Sequence, residues 1–144
     1  MNDVDAVQAQ IARNMLESGD WVTARLDGVA YLEKAPLTYW LIAVSYLAFG
    51  VHDWAARIPF ALGAVALCCL VCRFGRWAFS PEAGMCAGLA LATCCGLFLF
   101  TRILIADILV TLTITASIYG YMRAIEGREE ESRRWALLGA AAMG

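Results

Sequence analysis

The chain has 144 residues and a formal net charge of −2. Hydrophobic residues make up 61% and charged residues 17%, and mean hydropathy is +0.64. This excludes a nucleic-acid binder, which needs a basic stripe, and points to a membrane protein rather than an ordinary soluble domain.

In chain order, Val4, Val7, Ile11 and Met15 recur at helical spacing, with Asp5, Gln10, Arg13 and Asn14 off that stripe. The pattern predicts an amphipathic helix over about residues 4–18 that lies on a membrane surface, with Gly19 as its C-cap. Acids at its start and the lack of a continuous apolar run exclude a signal peptide. Residues 20–34 read as a loop with a turn at Asp27-Gly28.

Four apolar runs follow, at 35–50, 58–72, 83–101 and 108–122. A helix needs about 20 residues to cross the hydrocarbon core, so the second and fourth must borrow flanking residues. The second reaches Phe79 if Arg73 and Arg76 snorkel. Pro36 and the Tyr39-Trp40 pair mark an interfacial start for the first, and Trp21, Trp40, Trp54 and Trp77 read as interface-belt residues. Residues 123–134 carry both signs of charge and read as a solvent loop, and a new apolar run opens at Trp135. That open run predicts the front part of a longer protein.

All six cysteines lie in apolar stretches, where free cysteine packs as a small hydrophobe. Cys69-Leu70-Val71-Cys72 has redox spacing without a βαβ setting, and a single histidine, His52, rules out zinc spacing.

Three acids at the edges of apolar stretches, Asp5, Glu33 and Asp107, are the candidate functional groups, because carboxylates near a bilayer usually face a water-filled cavity or a partner. Their common placement depends on topology. If all four runs span, the 11 basic residues split nine to two and Glu33 and Asp107 fall on opposite faces. If the first run lies in the interface, the split is six to five and the acids share a face. Charge alone favours the first arrangement.

The ordered string Ile11-Ala12-Arg13-Asn14-Met15-Leu16-Glu17-Ser18-Gly19-Asp20-Trp21-Val22, Tyr31-Leu32-Glu33-Lys34-Ala35-Pro36, Phe49-Gly50-Val51 and Ala55-Ala56-Arg57-Ile58-Pro59 resembles the N-terminal region of bacterial polyprenyl-phosphate glycosyltransferases of the 4-amino-4-deoxy-L-arabinose transferase type. These are relatives of the protein O-mannosyltransferases. The likeness runs from about Asp3 to Arg123. It implies an all-α fold: part of a polytopic GT-C helical bundle, in which an extracytoplasmic loop carries amphipathic surface helices. The loop would cover residues 1–57, with interfacial helices at about 4–18 and 36–50. Transmembrane helices would follow at about 58–79, 83–101 and 107–123, with another starting at 135. The resemblance thus favours the second topology over the charge count.

By the same resemblance, the protein is a multi-pass protein of the bacterial inner (plasma) membrane with its active site on the extracytoplasmic side. It would transfer a sugar from a polyprenyl-phosphate donor to lipid A, a glycan or a protein, and this fragment alone would be inactive. The family's loop opens with an Asp-Glu pair that falls on Val4-Asp5, so the first acid is missing there although Asp3 is one residue away. Asp5 or Asp3 would be the general base, with Asp5 favoured by register. Glu33 would be the second acid, orienting the acceptor or, with Asp5, holding a divalent metal ion. Lys34 and Arg102 would neutralise the lipid phosphate, and Asp107 would hold Lys34 or organise the cavity. A basic residue that often follows the pair is Val7 here.

Plainer readings stand beside these roles. Asp5 also reads as a solvated acid, Glu33-Lys34 as an interfacial charge pair, Asp107 with Arg102 as an edge ion pair, and Arg57 as a helix-end anchor. The alternative function is a non-enzymatic few-helix membrane protein, a transporter half or an assembly subunit. Transporters break helices at the midplane, whereas Pro36 and Pro59 sit at run edges and Pro81 in a loop.

Overall fold

The computed structural model of the chain describes residues 3–26, 28–31, 36–102, 106–126 and 129–143. Seven helices and one short ribbon order these residues: α1 Asp3–Ser18, β1 Arg25–Leu26, β2 Val29–Ala30, α2 Leu37–Phe49, α3 Asp53–Ala78, α4 Pro81–Ala92, α5 Cys95–Arg102, α6 Asp107–Glu126 and α7 Glu129–Met143. The chain divides into two compact units, Met1–Leu62 with Leu99–Ala106, and Gly63–Phe98 with Asp107–Gly144. The fold is all-α apart from the antiparallel ribbon, in which Arg25 pairs with Ala30 and Leu26 with Val29.

In the first unit, α1 ends where Gly19 takes a φ of +70° and its N–H bonds the Met15 carbonyl. The next turn is held by Asp20, whose carboxylate accepts from the N–H groups of Val22 (3.1 Å) and Thr23 (3.0 Å). Those backbone donors hold the Asp20 carboxyl below its ordinary pKa. The Trp21 carbonyl of that turn accepts from the indole N–H of Trp40 at 2.6 Å, fastening the loop to α2. Ile11, Met15, Ala24 and Tyr39 form the buried core, with Val7, Leu26 and Tyr31 packed on it.

The buried stripe of α1 is Asp5, Gln8, Ile11, Ala12 and Met15. Asp5 therefore belongs to the packed face, and the expectation that it lies off the apolar stripe is corrected. α2 shows a reversed pattern. Thr38, Tyr39, Ile42, Ala43, Ser45 and Tyr46 are buried, whereas Leu37, Trp40, Val44 and Leu47 are exposed at 47%, 40%, 56% and 66%. The stripe that α2 leaves exposed is thus apolar.

α3 carries Pro59 in its interior. Proline has no N–H, so the Ala55 carbonyl four residues earlier loses its helical donor. The buried Ser45 hydroxyl of α2 donates to that carbonyl at 2.6 Å. The proline gap thus becomes the tie between α2 and α3.

In the second unit the helices approach backbone to backbone. A Cβ on Gly75 of α3 would stand 2.8 Å from the Gly84 Cα of α4, and one on Gly120 of α6 would stand 2.9 Å from the Gly139 Cα of α7. Small residues allow such crossings, which is how apolar helices gain contact where no water drives them together. The Ser117 hydroxyl adds a buried hydrogen bond to the Gly139 carbonyl at 2.8 Å. At one end Tyr119 packs against Phe74, Trp77 and Trp135 with ring centroids 5.4, 5.7 and 5.6 Å away. The Arg123 guanidinium lies 5.5 Å from the Trp77 ring centroid and 5.0 Å from that of Trp135. Trp77, read from the sequence as a belt residue, is thus part of an inter-helix cluster.

Two element boundaries differ from the sequence reading. The apolar run at 83–101 forms two helices, α4 and α5. α4 closes where the Thr93 hydroxyl donates to the Leu89 and Ala90 carbonyls at 2.9 and 3.2 Å. Its 12 residues reach only about 18 Å, against a hydrocarbon core of roughly 30 Å. α7 begins at Glu129, inside the segment read as a solvent loop. Trp135 and Gly139, four residues apart, dock that helix on Tyr119 and Gly120.

Among the described residues, α3 and α6 are long and apolar enough to cross a membrane, and their apolar windows are only 33% and 28% buried. A soluble core helix would hide that surface. Replacing Ser45 by Ala leaves the Ala55 carbonyl without a side-chain donor, and we expect a stability loss of about 1–3 kcal/mol. In a thermal-melt double-mutant cycle on the complete protein, Pro59→Ala restores the N–H and should reduce the Ser45→Ala loss. Purely additive effects would mean that the two residues do not share that carbonyl.

Candidate functional site

α1 presents Asp5 one turn above Gln8, and both are only 2% exposed. A carboxylate that deep needs a partner, and the guanidinium of Arg57, in the first turns of α3, supplies one with Nη2 3.4 Å from Asp5 Oδ2. The Arg57 side chain is itself 42% exposed, so the pair spans from the packed interior of the first unit to its surface. Arg57 Nε and Gln8 Oε1 are buried without a hydrogen-bond partner among the described residues. The site can therefore hold a carboxylate in a fixed orientation and offer polar atoms beside it.

The other candidates stand as follows. Asp3 opens α1. Glu33 and Lys34 lie outside the described residues, and so does the side chain of Arg102, the last residue of α5. Asp107 is the exposed first residue of α6 and belongs to the second unit. The structure thus joins Asp5 to Arg57, a residue the sequence reading treated as an anchor. Gln8 was also missed. The signal for it was the α1 stripe, since Ile11, Gln8 and Asp5 follow one another at three-residue steps on a single face. Val7, where the family often has a basic residue, packs on the Ile11–Met15–Tyr39 core.

Among the described residues, no three metal-ligating side chains cluster. At Asp5 the charge partner is a guanidinium, which leaves a poor place for a divalent cation on Oδ2. Glu33, the other expected ligand, lies outside the described residues.

Residues 33–144 match the family described as dolichyl-phosphate-mannose-protein mannosyltransferase. Among curated relatives, the chain is 33% identical over 141 residues to undecaprenyl phosphate-α-4-amino-4-deoxy-L-arabinose arabinosyl transferase 2 of Pseudomonas fluorescens strain Pf-5, covering 92% of this chain and 23% of the relative. It is 27% identical over 129 residues to the corresponding transferase of Shewanella sediminis, covering 87% of this chain and 23% of the relative. The crystal structure of ArnT from Cupriavidus metallidurans bound to undecaprenyl phosphate superposes with a TM-score of 0.93 and 26% identity, covering 99% of this chain and 27% of that one. The chain therefore spans about a quarter of the length of the proteins it matches.

Spanning-length helices, this packing and this superposition define the class: a polytopic membrane protein with a GT-C helical bundle, present here in part. The chain belongs to the dolichyl-phosphate-mannose-protein mannosyltransferase family.

Removing Arg57 should leave the Asp5 charge short of a partner. We expect Arg57→Met to cost about 1–3 kcal/mol in the complete protein and Arg57→Lys clearly less, read as melting temperatures in detergent. Equal melting of all three proteins would show that the pair holds nothing together.

Proposed function

We propose that this chain is the N-terminal part of a glycosyltransferase of the bacterial inner membrane that moves a sugar from a polyprenyl-phosphate donor to lipid A. The observation that carries the reading is the superposition of 99% of the chain on a relative solved with undecaprenyl phosphate. The curated relatives, undecaprenyl phosphate-α-4-amino-4-deoxy-L-arabinose arabinosyl transferases by name, support the same donor class.

In this reading α1, the ribbon and α2 form the extracytoplasmic loop at residues 1–57, and helices from residue 58 onwards build the bundle. The exposed stripe Leu37, Trp40, Val44 and Leu47 supports an α2 that lies along the bilayer interface, which places its polar face against α1. The same reading has the active site at the extracytoplasmic headgroup level, with the lipid phosphate.

The reaction needs a base, an attacking oxygen and a place for the departing charge. Asp5 (or Asp3) takes the proton from the acceptor hydroxyl, whose oxygen forms the new bond to the anomeric carbon. The bond from that carbon to the phosphate oxygen breaks, and the electron pair leaves on the lipid phosphate. General-base help of this kind is worth about 10²–10⁴-fold. Lys34 and Arg102 meet the charge that develops on the phosphate, a role that favours fixed cations over solvent. Glu33 orients the acceptor. Arg57 fixes the Asp5 carboxylate in position by the 3.4 Å contact, so this proposal needs no metal ion on Asp5.

The test uses the complete protein with its donor lipid and lipid A. Asp5→Asn and Glu33→Gln should each reduce sugar transfer by about 10²-fold or more, with cooperative melting as the control for folding and a lower melting temperature expected for Asp5→Asn, which also breaks the pair with Arg57. Full turnover in both variants would sink the site assignment. Donor hydrolysis without transfer in the unaltered protein would point instead to a different acceptor.

A further inference from the structure

Between α3 and α4 of the second unit runs an open groove of about 660 Å³. Its floor is small and apolar: Cys68, Cys69 and Cys72 come from one helix, Gly88 and Ala92 from the other. Four-residue steps bring these positions to single faces, so Cys69 continues into Arg73 and Cys72 into Arg76. Both arginines line one end of the groove, both are exposed, and neither has an ion pair among the described residues.

Depth along α3 decides what kind of ligand this shape suits. The helix has 26 residues, about 39 Å at 1.5 Å per residue, against roughly 30 Å of hydrocarbon. Counted from residue 58, where the proposed bundle begins, the remaining residues to Ala78 reach about 32 Å, so Arg76 comes close to the far headgroup level and Arg73 reaches it by snorkelling. From Arg76 back to Cys68 the groove descends eight residues, or about 12 Å, into the acyl region. Two unpaired guanidiniums at the surface above an apolar slot make a site for a molecule with a phosphate at one end and hydrocarbon at the other.

We infer that the α3–α4 groove binds an anionic membrane phospholipid, with its phosphate on Arg73 and Arg76 and an acyl chain along the cysteine-glycine floor. Guanidinium forks match a phosphate diester better than point charges do, and basic pockets between membrane helices favour anionic headgroups. A zwitterionic lipid offers the same chains, but its own cation faces the arginines. The site is distinct from the donor site proposed above, whose phosphate contacts are Lys34 and Arg102.

The test is native mass spectrometry of the complete protein released from nanodiscs of equal phosphatidylglycerol and phosphatidylcholine. The protein should retain phosphatidylglycerol in about ten- to thirtyfold excess over phosphatidylcholine, as two interfacial arginines imply. The double variant Arg73→Gln/Arg76→Gln should bring that ratio close to one. Ala92→Phe, which fills the floor and keeps both charges, should lower the number of lipids retained. A ratio near one in the unaltered protein would overturn the proposal, since a further segment of the complete chain or no lipid would then occupy the groove. An undiminished ratio in the double variant would overturn it too, because the lipid would then sit elsewhere. Retention unchanged by Ala92→Phe would mean surface attraction without a groove.

Discussion

A backbone in an apolar setting has to satisfy its polar groups from within, and much of this chain's architecture follows from that constraint. Pro59 removes one donor from α3, and Ser45 on α2 replaces it at the Ala55 carbonyl. Ser117 and Thr93 serve carbonyls in the same way at the α6–α7 contact and at the end of α4. Hydroxyl residues in apolar runs thus act as packing devices. Each one fixes where two helices meet or where one stops.

The same logic applies with higher stakes to Asp5. A carboxylate on the buried face of α1 is tolerated only if it is met by charge and hydrogen bonds. Arg57 provides part of that from the start of α3, 52 residues further along the chain. The pair therefore joins α1 to α3, one of the two helices of spanning length among the described residues. It also sets the orientation of the acid by packed helices and not by a loop.

The apolar segments, the Gly19 stop and the family were legible in the sequence because they depend on local residue types in order. The break at Thr93 was not, since a threonine in an apolar run reads as tolerated: Thr111, Thr113 and Thr115 make the same back-bonds inside the unbroken α6. The start of α7 among charges was hidden for a related reason. Glu129 to Arg134 have no apolar period of their own, and the contacts that dock α7 on α6 come later, at Trp135 and Gly139. At the candidate site, Asp5 was found from register and Arg57 was passed over, because an ion pair across 52 residues leaves no local pattern.

The reversed helix α2 has a practical consequence for anyone who would isolate this region. Its polar side chains are spent inside the fold, and its solvent side is Leu37, Val44 and Leu47. Residues 1–62 expressed without lipid would expose that stripe as an adhesive surface and be prone to self-association. Polar replacements at those three positions would make the segment easier to keep in aqueous buffer. They would also erase the stripe that, in the proposed function, seats it on a bilayer.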